Sequence, residues 1–146
     1  MSVEGTVQTI EVSAAPQHVL EVALDLEAYP EWITACKSAE VLDEDENGRP
    51  VRAGFIFHIM IREIDVTMRY SYDVDNGFSW SAEPGPDLKA LDGSYEFREI
   101  DSRNTEVLYA LRVEPAFTIP GFLRRQAEKE LVQSALRGLK RRAEQT

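Results

Sequence analysis

The stretch "DLEAYPEW", Asp25–Trp32, sets the direction of the whole reading. A proline and a large aromatic side chain close a short helical segment there, inside an otherwise acidic surface sequence. Just before it, "SAAPQHVLEVALDL" has the helical period: Val19, Leu20, Ala23 and Leu24 make one apolar face. Ser13 stands where a cap belongs, and Pro16 suits a first helical turn. Pro30 disfavours helical geometry at Tyr29, so it ends that stretch or separates two short helices. Upstream, "VEGTVQTIEV" (residues 3–12) places Val3, Thr6, Ile10 and Val12 in a β-rich run. The chain therefore opens as a strand followed by a helical interruption. Trp32 has two readings at this stage, a seal for a core or a wall of a binding place.

Beyond Trp32 the pattern changes to strands and turns. Residues 38–44 and 50–60 flank "DENGRP", where Asn47-Gly48 is a strong hairpin signal. In "IDVTMRYSYDV", Ile64, Val66, Met68, Tyr70, Tyr72 and Val74 share one face, and Asp65, Thr67, Arg69, Ser71 and Asp73 take the other. "DNG" at 75–77 turns the chain into "FSWSA", where Phe78, Trp80 and Ala82 continue the alternation. "SYEFREI" and "TEVLYALRV" follow around "DSRN", with Tyr95 and Phe97, then Val107, Tyr109, Leu111 and Val113, on one side. Strands this closely spaced, with short turns, imply an antiparallel meander. Pro120 and Gly121 then introduce a long helix. Its stripe runs through Leu123, Ala127, Leu131, Ala135 and Gly138, widened by Phe122, Leu136 and Leu139. One aromatic-rich sheet face and one long amphipathic helix are best satisfied by a curved sheet wrapped around that helix. A flat sheet would leave apolar surface wet.

Composition sets outer bounds. With 146 residues, no repeat and no low-complexity linker, the expectation is a single α+β domain over 1–146. An apolar fraction of 43% and a mean hydropathy of -0.33 describe an ordinary globular chain with no membrane-spanning window. The start of the chain carries neither a basic region nor an apolar run of the secretory kind, and Cys36 has no internal partner. Both features fit a reducing cytoplasm. The net charge of -10 argues against nucleic acid. Residues 120–146 run the other way, with seven Lys or Arg against Glu128, Glu130 and Glu144. That basic helix either contacts an anionic membrane or partner, or pairs with the acidic body and faces solvent.

The element order, together with "DLEAYPEW", "GSYEFR" and "PAFTIPGFLRR", resembles the START-like (birch-pollen-allergen-like) superfamily across residues 3–142. The likeness is greatest to its polyketide cyclase/dehydrase and coenzyme-Q-binding group. The resemblance implies a helix-grip fold: six to seven antiparallel strands around a long C-terminal helix, with two short helices after the first strand. It also implies an apolar cavity between sheet and helix for a lipid, polyketide, quinone or similar ligand, with no cofactor. Inward residues that such a cavity would use are Trp32, Phe57, Met68, Tyr70, Tyr72, Trp80, Tyr95, Phe97, Tyr109, Phe117, Phe122, Leu123 and Ala127. Four of the tyrosines put hydroxyls on inward faces, and each needs a partner or a water.

Catalytic constellations are missing from the sequence. There is no HExxH, CxxC, GxGxxG, phosphate loop or GxSxG elbow, and no metal site is expected. His18 is expected on an exposed helix surface. His58, in "FIFHIMI", either points inward as a neutral imidazole able to move protons or alternates outward opposite Phe57. Two functions stay open: a module that binds or carries a hydrophobic small molecule, and a polyketide cyclase or dehydratase acting in the same cavity. Ligand identity and oligomeric state do not follow from the residues.

Overall fold

The computed structural model describes residues 5–72 and 76–146. Val3, Asp73, Val74 and the Asp75 of the "DNG" turn, all used above, lie outside the described residues. Strand β1 (Thr6–Val12) leads into helix α1 (Pro16–Leu24), a 3-10 turn at Leu26–Ala28 and helix α2 (Tyr29–Trp32). Strands β2 (Cys36–Glu44), β3 (Pro50–Ile59), β4 (Arg62–Ser71), β5 (Gly77–Ala82), β6 (Leu88–Asp101) and β7 (Asn104–Pro115) follow. The chain closes with helix α3 (Gly121–Gln145). All seven strands form one antiparallel sheet in the order β1-β7-β6-β5-β4-β3-β2. The two edge strands are thus β1 and β2, and the α1–α2 segment is what connects them.

Pro30 starts a helix here. It occupies the first turn of α2, where its fixed φ fits and its missing N–H costs nothing. The break falls earlier, at Asp25, whose backbone leaves the helical region (φ -81°, ψ 73°).

The inward alternation on β4 holds: Ile64, Val66 and Met68 are buried, whereas Asp65 and Arg69 are exposed. Strand β6 begins at Leu88, six residues before the run "SYEFREI". Its first half, "LKALDG", lacks β-branched and aromatic residues, and its glycine has a packing role. Gly93 pairs with Trp80, and a Cβ there would sit 2.3 Å from Trp80 Cε2. The missing side chain lets the indole lie against the strand.

Helix α3 has two unlike halves. From Leu131 onward, Leu131, Val132, Ala135, Leu136, Leu139 and Ala143 are buried. Gly138 meets α2 so closely that a Cβ would lie 2.0 Å from the Trp32 carbonyl oxygen. The far end is tied to the β1–α1 corner by polar contacts. Ser13 N donates to Glu144 Oε2 (2.8 Å), and Lys140 Nζ donates to the Glu11 carbonyl (2.8 Å). His18 Nε2 lies 3.1 Å from the Ala143 carbonyl and 2.9 Å from Thr146 Oγ1. His18 is therefore half-buried against the end of α3, in place of the exposed position expected for it. Before Leu131, Leu123 and Ala127 are only half-buried and Phe122 is 63% exposed. Apart from Glu128, which is buried, no side chain in that half of α3 is closed off from solvent.

Candidate functional site

The inward aromatic face closes mostly on itself. Tyr95 packs edge-on against Tyr109 (centroids 4.7 Å), and Trp80 lies 5.6 Å from Tyr109 and 5.7 Å from Phe78. Phe57, Met68, Tyr70, Trp80, Tyr95 and Tyr109, with Tyr29, Phe55, Leu91, Leu111, Leu131 and Ala135, surround a void of about 30 Å³. Such a space takes roughly one water molecule.

The tyrosine hydroxyls at this face are held in the neutral form. Burial, and then the neighbouring Tyr70 and Tyr109, push Tyr29 well above its ordinary value, and its hydroxyl donates to the Ala23 carbonyl. Burial likewise raises Tyr70, Tyr95 and Tyr109. Tyr72 is pushed up to about 12 by burial, against the pull of the Arg49 guanidinium stacked 4.3 Å from its ring centre. Its hydroxyl donates to the Pro50 carbonyl. Near neutral pH these phenols are hydrogen-bond donors, and none is a base.

A space larger than this void lies beneath the first half of α3. A groove of about 340 Å³ runs between Leu123, Ala127 and Leu131 of α3, the β3–β4 turn at Met60-Ile61, the strand residues Ile59, Ile64, Leu88 and Val113, and the β7–α3 segment carrying Phe117 and Ile119. This is near the small end for small-molecule sites. Met60 has φ 58°, an unusual backbone for a residue with a side chain. The hairpin tip it forms is apolar, with Ile61 96% exposed, where turn chemistry usually places Asn or Gly. A tight two-residue hairpin turn calls for a positive φ of this kind, and here a residue with a side chain supplies it.

Glu128 is the buried charged side chain among the described residues, 2% exposed at the groove wall. Strand β1 starts at Thr6 opposite Leu111, so Val113 lies past its end. Glu128 takes up what the strand leaves: Val113 N donates to Oε2 (2.7 Å) and Thr6 Oγ1 donates to Oε1 (3.2 Å). Arg124, one turn earlier on α3, donates to Oε2 at 3.2 Å. The carboxylate is thereby a latch between α3 and the β1–β7 edge.

The sequence-derived residues sort into separate places. Phe57, Met68, Tyr70, Trp80, Tyr95 and Tyr109 border the inner void, and Phe117, Leu123 and Ala127 line the groove. Phe97 is buried beside Phe78 and Tyr95, and Tyr72 stands half-buried under Arg49. Phe122 is exposed and lines neither space, and Trp32 is packed at 3% exposure, edge-on to Tyr29 at 4.9 Å. Trp32 borders neither space: it wedges α2 against Gly138. His58 is exposed on the outer face, its Nε2 3.1 Å from the Met60 carbonyl. Sequence reasoning did not pick out Met60, Ile61, Arg62, Arg124 or Glu128. The available signal was an acid on the apolar stripe of α3, one turn after an arginine.

A curved antiparallel sheet gripping a C-terminal helix, with an apolar groove beneath that helix, is the START-like helix-grip architecture. The match to the family described as polyketide cyclase/dehydrase and lipid transport spans residues 12–140, and the chain belongs to that family. Among solved structures it is similar to a START superfamily protein from Mycobacterium smegmatis (21% identity, TM-score 0.90), with 97% of each chain covered. It is also similar to the Zhui aromatase/cyclase from Streptomyces sp. R1128 (15% identity, TM-score 0.81), covering 97% of this chain and 93% of that one. Identities this low carry the fold alone. No curated protein sequence matches the chain.

Proposed function

We propose that this protein binds a small hydrophobic molecule in the groove beneath the first half of α3. The carrying observation is the groove itself: about 340 Å³ walled mainly by apolar side chains at the N-terminal end of α3. Family membership supports the same reading. An enzymatic role on a polyketide has less behind it. His58, the one imidazole near the sheet interior in sequence, is exposed on the outer face, and the phenols around the inner void are held neutral. Residues Phe117, Leu123 and Ala127 are assigned ligand contact, whereas Tyr70, Trp80 and Tyr109 border the smaller inner void on the other side of Leu131. A buried lone thiol at Cys36 supports a reducing, cytoplasmic setting.

Titration with the neutral fluorescent probe N-phenyl-1-naphthylamine tests the assignment. Saturable binding at one site per chain is expected, abolished by Ala127→Trp, which fills the groove while the half-buried position leaves the fold intact. Absence of saturable binding, or binding indifferent to Ala127→Trp, would refute it.

A further inference from the structure

The charged groups that line the groove are Arg62, Arg124 and Glu128, so its wall carries one net positive charge inside a protein of net charge -10. Glu128 offers a ligand nothing, because both oxygens already accept from Thr6, Val113 and Arg124 and its side chain is 1% exposed. The two guanidiniums differ from it. Arg124 contributes Nη1 to Glu128 and keeps further N–H donors at the wall of the groove. Arg62 sits over the Phe117 ring, its Cζ 3.8 Å from the ring centre, and the acid it pairs with, Asp87, is a long 3.8 Å away and outside the groove wall. A planar donor fork fixed against an aromatic wall is suited to a carboxylate, and apolar surroundings strengthen such a bond.

We propose that the groove selects an amphipathic monoanion, a free carboxylic acid with a compact apolar body, and seats its head group between Arg62 and Arg124. This rests on the ligand-binding reading above and narrows it to a chemical class. The body lies along Leu123, Ala127 and Ile64, and the head replaces water at the two guanidiniums. A groove of about 340 Å³ holds a ligand the size of roughly eleven waters, which limits the acid to a medium chain or a two-ring system.

The experiment is isothermal titration of the full chain at pH 7 with two near-isosteric pairs: decanoate against decanamide, and naphthalene-2-carboxylate against naphthalene-2-carboxamide. In at least one pair the acid is expected to bind about tenfold more tightly than the amide or better. Arg62→Gln, at an exposed side chain whose loss the fold tolerates, is expected to weaken the acid more than the amide, and Arg124→Gln to do the same. Equal affinities within both pairs, or an acid preference that survives Arg62→Gln, would overturn the proposal. If N-phenyl-1-naphthylamine binds while neither acid does, the anion selectivity fails and the ligand-binding reading stands. If that probe also fails, both fall together.

Discussion

Trp32 shows how far a single residue can be read. Its aromatic bulk after Pro30 marks a junction, but core and pocket look alike at that level. The partner that decides is Gly138, more than a hundred positions later, whose absent Cβ makes room for the Trp32 backbone and ring. Gly138→Ala is therefore expected to destabilise the fold by about 1–3 kcal/mol, read as a lowered denaturant midpoint, despite alanine's better helix propensity. Glu128 makes the opposite point. In sequence it is one more acid on a charged helix, whereas in the fold it collects three donors. Glu128→Ala leaves Val113 N and Arg124 without it and is expected to cost about 2–4 kcal/mol. Glu128→Gln, whose amide oxygen can still accept from Val113 N, is expected to cost distinctly less in the same denaturation assay.

At the level of elements, the period-2 strands were the most legible part of the chain. Ile64, Val66 and Met68 are buried as their alternation requires, because register on a half-buried sheet is enforced by which face is wet. The start of β6 was not legible, since Leu88 and Leu91 are its only large inward residues before Gly93. The inward face also gives the fold an alkaline limit. Cys36 is raised from 9.0 to about 11, chiefly by burial, and Tyr72 from 10.0 to about 12. In both groups the fold favours the protonated form. Their contribution is complete below about pH 9 and is lost as pH rises through 11 and 12. The denaturant midpoint is expected to stay level from pH 6 to about 8.5 and fall above pH 9. Tyrosinate absorbance should appear only as the fold is lost, since all five tyrosines are shifted upward.

For the whole molecule, Leu131 has the most consequential position. It lines both the inner void and the groove, so one leucine separates about 30 Å³ of inner space from about 340 Å³ of outer space. Leu131→Ala is expected to cost about 2–5 kcal/mol and to join the two spaces. The same variant should then accept a bulkier neutral ligand than the wild type, measured by titration beside the denaturation curve. The basic residues of α3 divide into two groups at this scale. Arg142 reaches Glu31, Lys140 reaches Glu144 and Arg124 reaches Glu128, whereas Arg125, Lys129, Arg137 and Arg141 are exposed.

Sequence alone determined the element order, the antiparallel meander, the inward aromatic stripe and the amphipathic C-terminal helix. Each of these depends on local periodicity and turn chemistry, which are written into neighbouring residues. Tertiary structure alone decided where space is left. The aromatics named as cavity walls largely fill the interior with one another, and the roomy groove opens at the N-terminal half of α3, bounded by Met60-Ile61, Phe117 and Leu123 from three distant segments. Whether an apolar side chain meets another side chain or a void is set by the partners brought to it from across the chain, and periodicity carries no record of them.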